Sequence, residues 1–187
     1  KECRKKVEAH LLSTYEIGNK EGDVLVISVE DGKDVRLEGN PNPSPEKFTS
    51  YQLAAYYPST ALCNVEQYFY EGSSNLVIDT KTGAQIRLDA NQGLRISPDN
   101  KRFVAYNLDL EAGYSPNVLA VCRIDEGNII KEKEHKFTKY GPDNVRWLNH
   151  DKFEVDEVTI EYGQGGINYK TLKTHTFQLE NGNWVQK

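Results

Sequence analysis

Short runs of β-branched and aromatic residues, many with apolar and polar positions in alternation, fill the chain from Asp23 onward. Gly, Pro, Asn and Asp separate these runs about every eight to twelve residues, a spacing typical of β-sandwiches, barrels and propellers. Four separators are pairs ending in glycine, which tolerates the positive φ of a tight hairpin: Asp31-Gly32, Thr82-Gly83, Glu126-Gly127 and Asn181-Gly182. The pattern predicts antiparallel strands over residues 24–29, 34–37, 48–56, 65–70, 75–79, 85–88, 94–96, 102–108, 118–124, 128–138, 144–148, 152–162, 168–179 and 184–186.

The first residues follow a different period. Cys3, Val7, Leu11 and Tyr15 are four residues apart, with Leu12 beside them, which places them on one face of a helix over Glu2–Tyr15. An alternating pattern at positions 7, 9 and 11 fits a strand as well, so that alternative stays open. We expect a helical segment over residues 1–22 and a single all-β domain of about four repeat units over residues 23–187.

One stretch of the chain recurs. Residues 25–37 (LVISVEDGKDVRL) and residues 76–88 (LVIDTKTGAQIRL) are identical at six of thirteen positions, with an offset of 51. A repeat of this length is typical of blade or hairpin arrays. We therefore expect repeated antiparallel β-units.

The second copy is followed by a motif that resembles one found in a known protein family. Ile96–Val104 (ISPDNKRFV) resembles the S-P-D-G turn of TolB-like and WD-type β-propeller blades, with Asn100 where that turn usually has glycine. Residues 141–153 (GPDNVRWLNHDKF) resemble a tryptophan-bearing turn of the same blades. The resemblance implies a small or incomplete β-propeller-like fold, because propellers of this kind carry six to eight units and this chain has room for about four. A β-sandwich built from similar hairpins is the alternative.

Charge and hydropathy remove some classes of partner. The chain has 23 basic and 28 acidic residues, a formal net charge of -5, which disfavours binding to nucleic acid. Its apolar runs have the length of strands, so we expect no membrane insertion.

The sequence begins at Lys1 and contains no methionine, which leaves room for a removed signal peptide. We expect a bacterial protein that is periplasmic or secreted, with the cytoplasm as the alternative.

The cysteines and histidines are scattered. None of them has the C-x-x-C or paired-histidine spacing of zinc ligands, so we expect no metal and no cofactor. Cys63 and Cys122 occupy similar places in successive units, which usually lie too far apart for a disulfide. If a disulfide forms, we favour Cys3 with Cys63, leaving Cys122 as a small buried hydrophobe. Three free thiols are the alternative.

Tyrosines supply the candidate binding residues. Tyr56 and Tyr57 lie in a tyrosine-rich stretch, and tyrosine offers contact area with a polar end. Asp109, Glu111 and Tyr114 lie in a stretch that reads as an exposed loop, where contacts often reside. The simpler interpretations are an aromatic turn at the edge of the core and a solvated polar face.

No constellation of a nucleophile with a base is evident, so we expect a noncatalytic module that binds another protein, of the exported inhibitor or immunity type. The first alternative is a carbohydrate-binding or glycoside-processing protein, with Trp147, Asp151 and Glu154 forming an acidic and aromatic surface. The second alternative is a fragment of a larger propeller. The sequence does not indicate an oligomeric state.

Overall fold

A computed structural model describes residues 2–42, 44, 46–163 and 166–187. In this part of the chain, fifteen strands form four antiparallel sheets, and one short helix precedes them. The all-β class with a short N-terminal helix is therefore correct. All fourteen predicted strands are confirmed, with ends that differ by at most three residues. A further strand, Gly18–Glu21, was missed because its sequence, GNKE, is polar.

The chain divides into two compact units. Unit 1 extends to Leu88 and includes Asp125–Ile129, whereas unit 2 comprises Asp89–Ile124 and Ile130–Lys187. The predicted division into residues 1–22 and 23–187 stays a prediction.

Unit 1 contains the helix and two sheets. The helix α1 covers Glu2–Tyr15. A three-stranded sheet has the order β1-β2-β3 and a four-stranded sheet has the order β4-β5-β6-β7. These strands are β1 Gly18–Glu21, β2 Val24–Ile27, β3 Val35–Glu38, β4 Ser50–Tyr57, β5 Leu62–Tyr68, β6 Ser73–Asp79 and β7 Gln85–Leu88. One core joins them: Leu12, Ile17, Leu25, Ile27, Val29, Val35, Leu37, Leu53, Cys63, Val65, Leu76 and Ile78.

The two copies of the repeat both form hairpins, but their registers differ by one residue. In the first copy Leu25 pairs with Leu37, and both are buried in the core. In the second copy Leu76 pairs with Arg87, so Leu88 pairs with Asn75 instead. A shift of one residue turns a side chain to the opposite face of the sheet. Leu88 is accordingly buried without belonging to the core cluster that contains Leu76.

Helix α1 buries part of the predicted face. Leu12 is in the core of unit 1 and Leu11 packs against it, whereas Cys3, Val7 and Tyr15 are exposed. The buried face also contains an acid, since the Glu8 carboxylate accepts a hydrogen bond from the Leu53 amide at 2.8 Å and pairs with Lys20 at 3.3 Å. Hydrophobicity alone did not predict the burial of Glu8.

Unit 2 contains the other two sheets, with orders β11-β10-β9-β8 and β12-β13-β14-β15. The strands are β8 Leu94–Ile96, β9 Arg102–Asn107, β10 Asn117–Asp125, β11 Asn128–Phe137, β12 Gly141–Asn149, β13 Lys152–Gly163, β14 Gly166–Glu180 and β15 Asn183–Gln186. The tip of the β10–β11 hairpin is grouped with unit 1. Buried residues of both sheets form one core: Val104, Tyr106, Leu119, Val121, Val145, Phe153, Val155, Phe177 and Trp184.

An ion cluster also links the two sheets of unit 2. Glu132 of β11 binds Arg102 at 2.9 Å and Arg123 at 3.1 Å, and it accepts a hydrogen bond from the Trp184 indole at 2.8 Å. Only about one seventh of the Glu132 side chain is exposed, so both of its oxygens have partners in a largely dehydrated place. The cluster fixes β15 against the β8–β11 sheet.

The turn at Ser97–Arg102 has the predicted form. Asn100 has φ of 58°, a left-handed conformation that asparagine tolerates and that glycine adopts freely. The Ser97 hydroxyl donates to Asp99 at 2.6 Å and accepts from the Arg102 amide at 2.9 Å. Phe103, which follows the turn, is fully buried.

Replacing Glu8 by Ala should destabilise unit 1 by about 1–3 kcal/mol, because a buried amide of β4 then loses its acceptor. Hydrogen exchange at the Leu53 amide measures the effect directly. The control is Glu2→Ala on the exposed side of the helix, where the ion pair with Lys6 should be worth well under about 1 kcal/mol. Equal exchange rates at Leu53 in the two variants would contradict the role assigned to Glu8.

Candidate recognition surface

Strands β13 and β14 extend beyond the strands beside them. β12 pairs with β13 up to Val158, and β15 pairs with β14 over Phe177–Glu180. The remaining hairpin, which we call the arm, comprises Thr159–Gly163 and Gly166–Lys173. Every described residue of its β14 strand is exposed. The sequence predicts a hairpin tip over Gly163–Gly166, and its two central residues lie outside the described part of the chain.

One face of the arm is apolar and the other is polar, although neither face packs on a hydrophobic core. Cross-strand partners share a face, and residues two apart in a strand do too. Ile160 pairs with Tyr169 and Tyr162 pairs with Ile167, which makes one face apolar. Thr159 pairs with Lys170 and Glu161 with Asn168, so the other face is polar. Tyr162 is 78% exposed, more than any other large apolar side chain among the described residues.

The loop over residues 108–116 is held in shape by one carboxylate. The two oxygens of Asp109 accept the backbone amides of Ala112 and Gly113 at 3.1 Å and of Ser115 at 2.8 Å. The Asp109 amide in turn donates to the Asn117 side chain at 2.7 Å. The loop is therefore pre-organised, and it presents Tyr114 with 67% of its surface exposed.

The same contacts set the ionisation of Asp109. Burial opposes the charged form, but hydrogen bonds from the amides of the loop outweigh burial and lower the pKa of the carboxyl group. Asp109 therefore stays ionised at neutral pH. The loop therefore carries the negative charge of Asp109 at neutral pH.

The loop contacts the arm through one hydrogen bond. The Tyr169 hydroxyl donates to the Glu111 carboxylate at 2.9 Å. Partial burial is the largest cause that raises the pKa of Tyr169 to about 12, and the hydrogen bond to Glu111 is the next. The negative charges of Glu111, Asp109 and Asp143 raise that pKa further. Tyr169 thus lies at the meeting point of an apolar face and three carboxylates.

The cation next to Tyr169 in β14 already has a partner. Lys170 pairs with Glu161 at 3.3 Å on the polar face of the arm, opposite the face that carries Tyr169. Lys170 therefore does not neutralise the carboxylates around Tyr169.

The five predicted binding residues fall into two groups. Asp109, Glu111 and Tyr114 share the loop of unit 2, where Asp109 orders the loop and Glu111 contacts the arm. Tyr56 and Tyr57 are the last two residues of β4 in unit 1. Tyr56 packs against the core of unit 1, and its ring lies 5.0 Å from that of Tyr15.

Sequence reasoning missed the arm. Its signal is present: Ile160 and Tyr162 alternate with polar residues before a glycine-rich turn, and Ile167 and Tyr169 do so after it. Alternation of this kind ordinarily predicts a face packed on a core. Exposure of the face depends on where the neighbouring strands end, and the pattern within the hairpin does not contain that information.

The proposed acidic and aromatic surface is not assembled by the residues named for it. Trp147 pairs with Phe153 and Arg146 with Glu154, so Trp147 and Glu154 project from opposite faces of the sheet. The Trp147 ring packs 5.2 Å from Phe153, and its indole donates to the Arg95 carbonyl at 2.7 Å.

The cysteines are all free thiols, so the expected bond between Cys3 and Cys63 is not formed. Cys3 is exposed on α1, whereas Cys63 is fully buried in the core of unit 1. Cys122 is a buried residue, as predicted. Burial raises the pKa of both buried thiols to about 12, which makes them poor nucleophiles.

Metal-ligating side chains do not gather in groups of three or more anywhere in the described residues. No helix in the same part of the chain has the length and apolar character needed to cross a bilayer.

A search of protein-family models and of curated proteins gave no match to this chain.

The 108–116 loop should lose its shape in acid. The pKa of Asp109 is lowered in the folded loop relative to its usual value of about 3.9, so its hydrogen bonds are intact above about pH 4 and are lost as the pH falls through the lowered pKa. The amide proton shifts of Ala112, Gly113 and Ser115, followed by NMR against pH, report this loss. In Asp109→Asn these shifts should not titrate. An ordinary aspartate pKa in the wild-type protein would contradict the assignment.

Proposed function

We propose that the protein is a noncatalytic module that binds another protein through the surface formed by the 108–116 loop and the arm. The observation that carries the proposal is the exposure of Tyr114 and Tyr162 on a braced loop and a paired hairpin. Aromatic side chains on a pre-organised surface give contact area at a low cost in conformational entropy. A soluble domain gains nothing in stability from exposing them.

The composition of the surface agrees with a protein partner. Binding surfaces are enriched in tyrosine at their centres and carry polar groups at their rims. Here the tyrosines and isoleucines of the arm form an apolar centre, and Glu111 and Asp143 flank it. A role as an inhibitor or immunity-type protein is consistent with such a surface, and it is part of the proposal.

The proposal also treats the sheets as propeller-like units. In each four-stranded sheet the strand order follows the chain order, which is the up-and-down arrangement of a propeller blade. The turn at Ser97–Arg102, with its left-handed Asn100, supports the resemblance to TolB-like and WD-type blades. In this view the loop and the arm are connections that a repeated scaffold places at its end.

Photo-crosslinking tests the proposal in extracts of the source cells. A photoreactive phenylalanine analogue at position 162 or 114 should crosslink one protein partner. The matched control is position 70, because Tyr70 is a tyrosine of similar exposure (55%) in unit 1. Equal crosslinking of the same partner from position 70, or none from positions 162 and 114, would contradict the proposal.

The captured partner permits a test of affinity. Tyr162→Ala should weaken its binding about tenfold or more, as expected for a central aromatic contact. Tyr70→Ala should leave the affinity unchanged. Both side chains are exposed, so neither variant should change the melting temperature. Unaltered affinity in Tyr162→Ala would remove the arm from the recognition surface.

A further inference from the structure

The outer edge of β14 is unpaired along the arm. Among the described strands, β15 pairs with β14 over Phe177–Glu180, and the last contact toward the arm is the Lys187 amide with the Thr176 carbonyl. From Gly166 to Lys173 the strand therefore has a partner on one side only, which is β13. The backbone groups on the other side are in position to pair with a further extended segment.

The edge is not blocked by the usual means. Native edges are commonly closed by proline, by unpaired lysine or by short strand length. The described residues of β14 contain no proline, and the strand is fifteen residues long. Lys170 is occupied by Glu161 on the polar face, and Lys173 lies at the base of the arm, opposite Glu157 of β13.

The charges beside the edge favour one kind of occupant. The apolar face carries no charged residue between Ile160 and Tyr169, Glu111 lies 2.9 Å from the Tyr169 hydroxyl, and the charges of Asp109 and Asp143 also act on Tyr169. A strand added next to Tyr169 places alternate side chains on this face. A cationic side chain there meets negative charge, and an anionic one is repelled.

We infer that the outer edge of β14 accepts an extended segment of a protein partner that bears lysine or arginine. The segment adds to the arm as a strand, its apolar residues cover Tyr162 and Ile167, and its cation lies near Glu111. This inference rests on the proposed function, because it names the chemistry of the partner at the same surface. In this binding mode the backbone hydrogen bonds to β14 provide the affinity, and the carboxylates near Tyr169 select a cationic segment.

Synthetic peptides test the inference. The probes are ten-residue peptides in which apolar and polar β-forming residues alternate, identical except that one position on the apolar side, which faces Tyr162 and Tyr169 in the bound strand, is Lys, Gln or Glu. The lysine peptide should shift the amide resonances of residues 166–173 in NMR titrations, and the glutamate peptide should not. Methylation of alternate peptide nitrogens on the pairing side should abolish the shifts, because it removes the hydrogen bonds to the strand edge.

Two variants of the full chain separate the roles of the charges. Glu111→Gln keeps an acceptor for the Tyr169 hydroxyl but removes the charge, and it should weaken binding of the lysine peptide about two- to fivefold, the range for an exposed ion pair. The control Glu161→Gln removes a carboxylate from the polar face and should weaken binding less. Equal binding of the lysine and glutamate peptides, or shifts mapping outside the arm, would overturn the inference.

The proposed function and the inference fail in different ways. If position 162 crosslinks a partner but no lysine peptide binds, the surface recognises protein and the strand-addition mode is wrong. If the glutamate peptide binds better than the lysine peptide, the assigned charge of the partner is wrong. If neither crosslinks nor peptide shifts occur at the arm, both the recognition surface and its partner are wrong.

Discussion

The proposed recognition surface depends on a mismatch in strand length within one sheet. β14 has fifteen residues, but β15 covers only Phe177–Glu180, and β12 ends its pairing with β13 at Val158. A two-stranded ribbon that leaves its sheet is marginally stable in water by itself. The hydrogen bond between Tyr169 and Glu111 gives it a second attachment. Exposure of the arm and its order thus have separate causes, the absence of neighbouring strands and the contact with the 108–116 loop.

Carboxylates do most of the positioning in both units. Asp109 orders a loop, Glu132 fastens β15 to the neighbouring sheet of unit 2, and Glu8 binds α1 to β4. In each case the oxygens accept backbone or indole N–H groups, or they pair with a cation in a partly dehydrated place. Because these acids act within the fold, a count of acidic residues says little about the surface. The carboxylates that belong to the proposed recognition surface are those around Tyr169.

The sequence predicted the strands well because period-two alternation and glycine turns are local signals. It also predicted the helix and the turn at Asn100. It did not predict that Glu8 is buried in α1, since the contacts that bury this acid are with Lys20 and Leu53, which are distant in sequence. It placed Asp109 and Glu111 in one loop but did not show that Asp109 orders that loop, and it missed Tyr162 and Tyr169. Whether an alternating face is covered depends on the ends of other strands. A register shift of one residue likewise separates Leu88 from Leu37 despite the repeat.

The most direct measurement is an NMR map of the free protein in solution at the arm. Contacts between the Tyr169 ring and the 108–116 loop, together with slowly exchanging amides between Glu161 and Asn168, should be observed without any partner. They would mean that the surface is built before binding, so that affinity is not spent on ordering it. Random-coil shifts over residues 159–170 would contradict a pre-formed recognition surface.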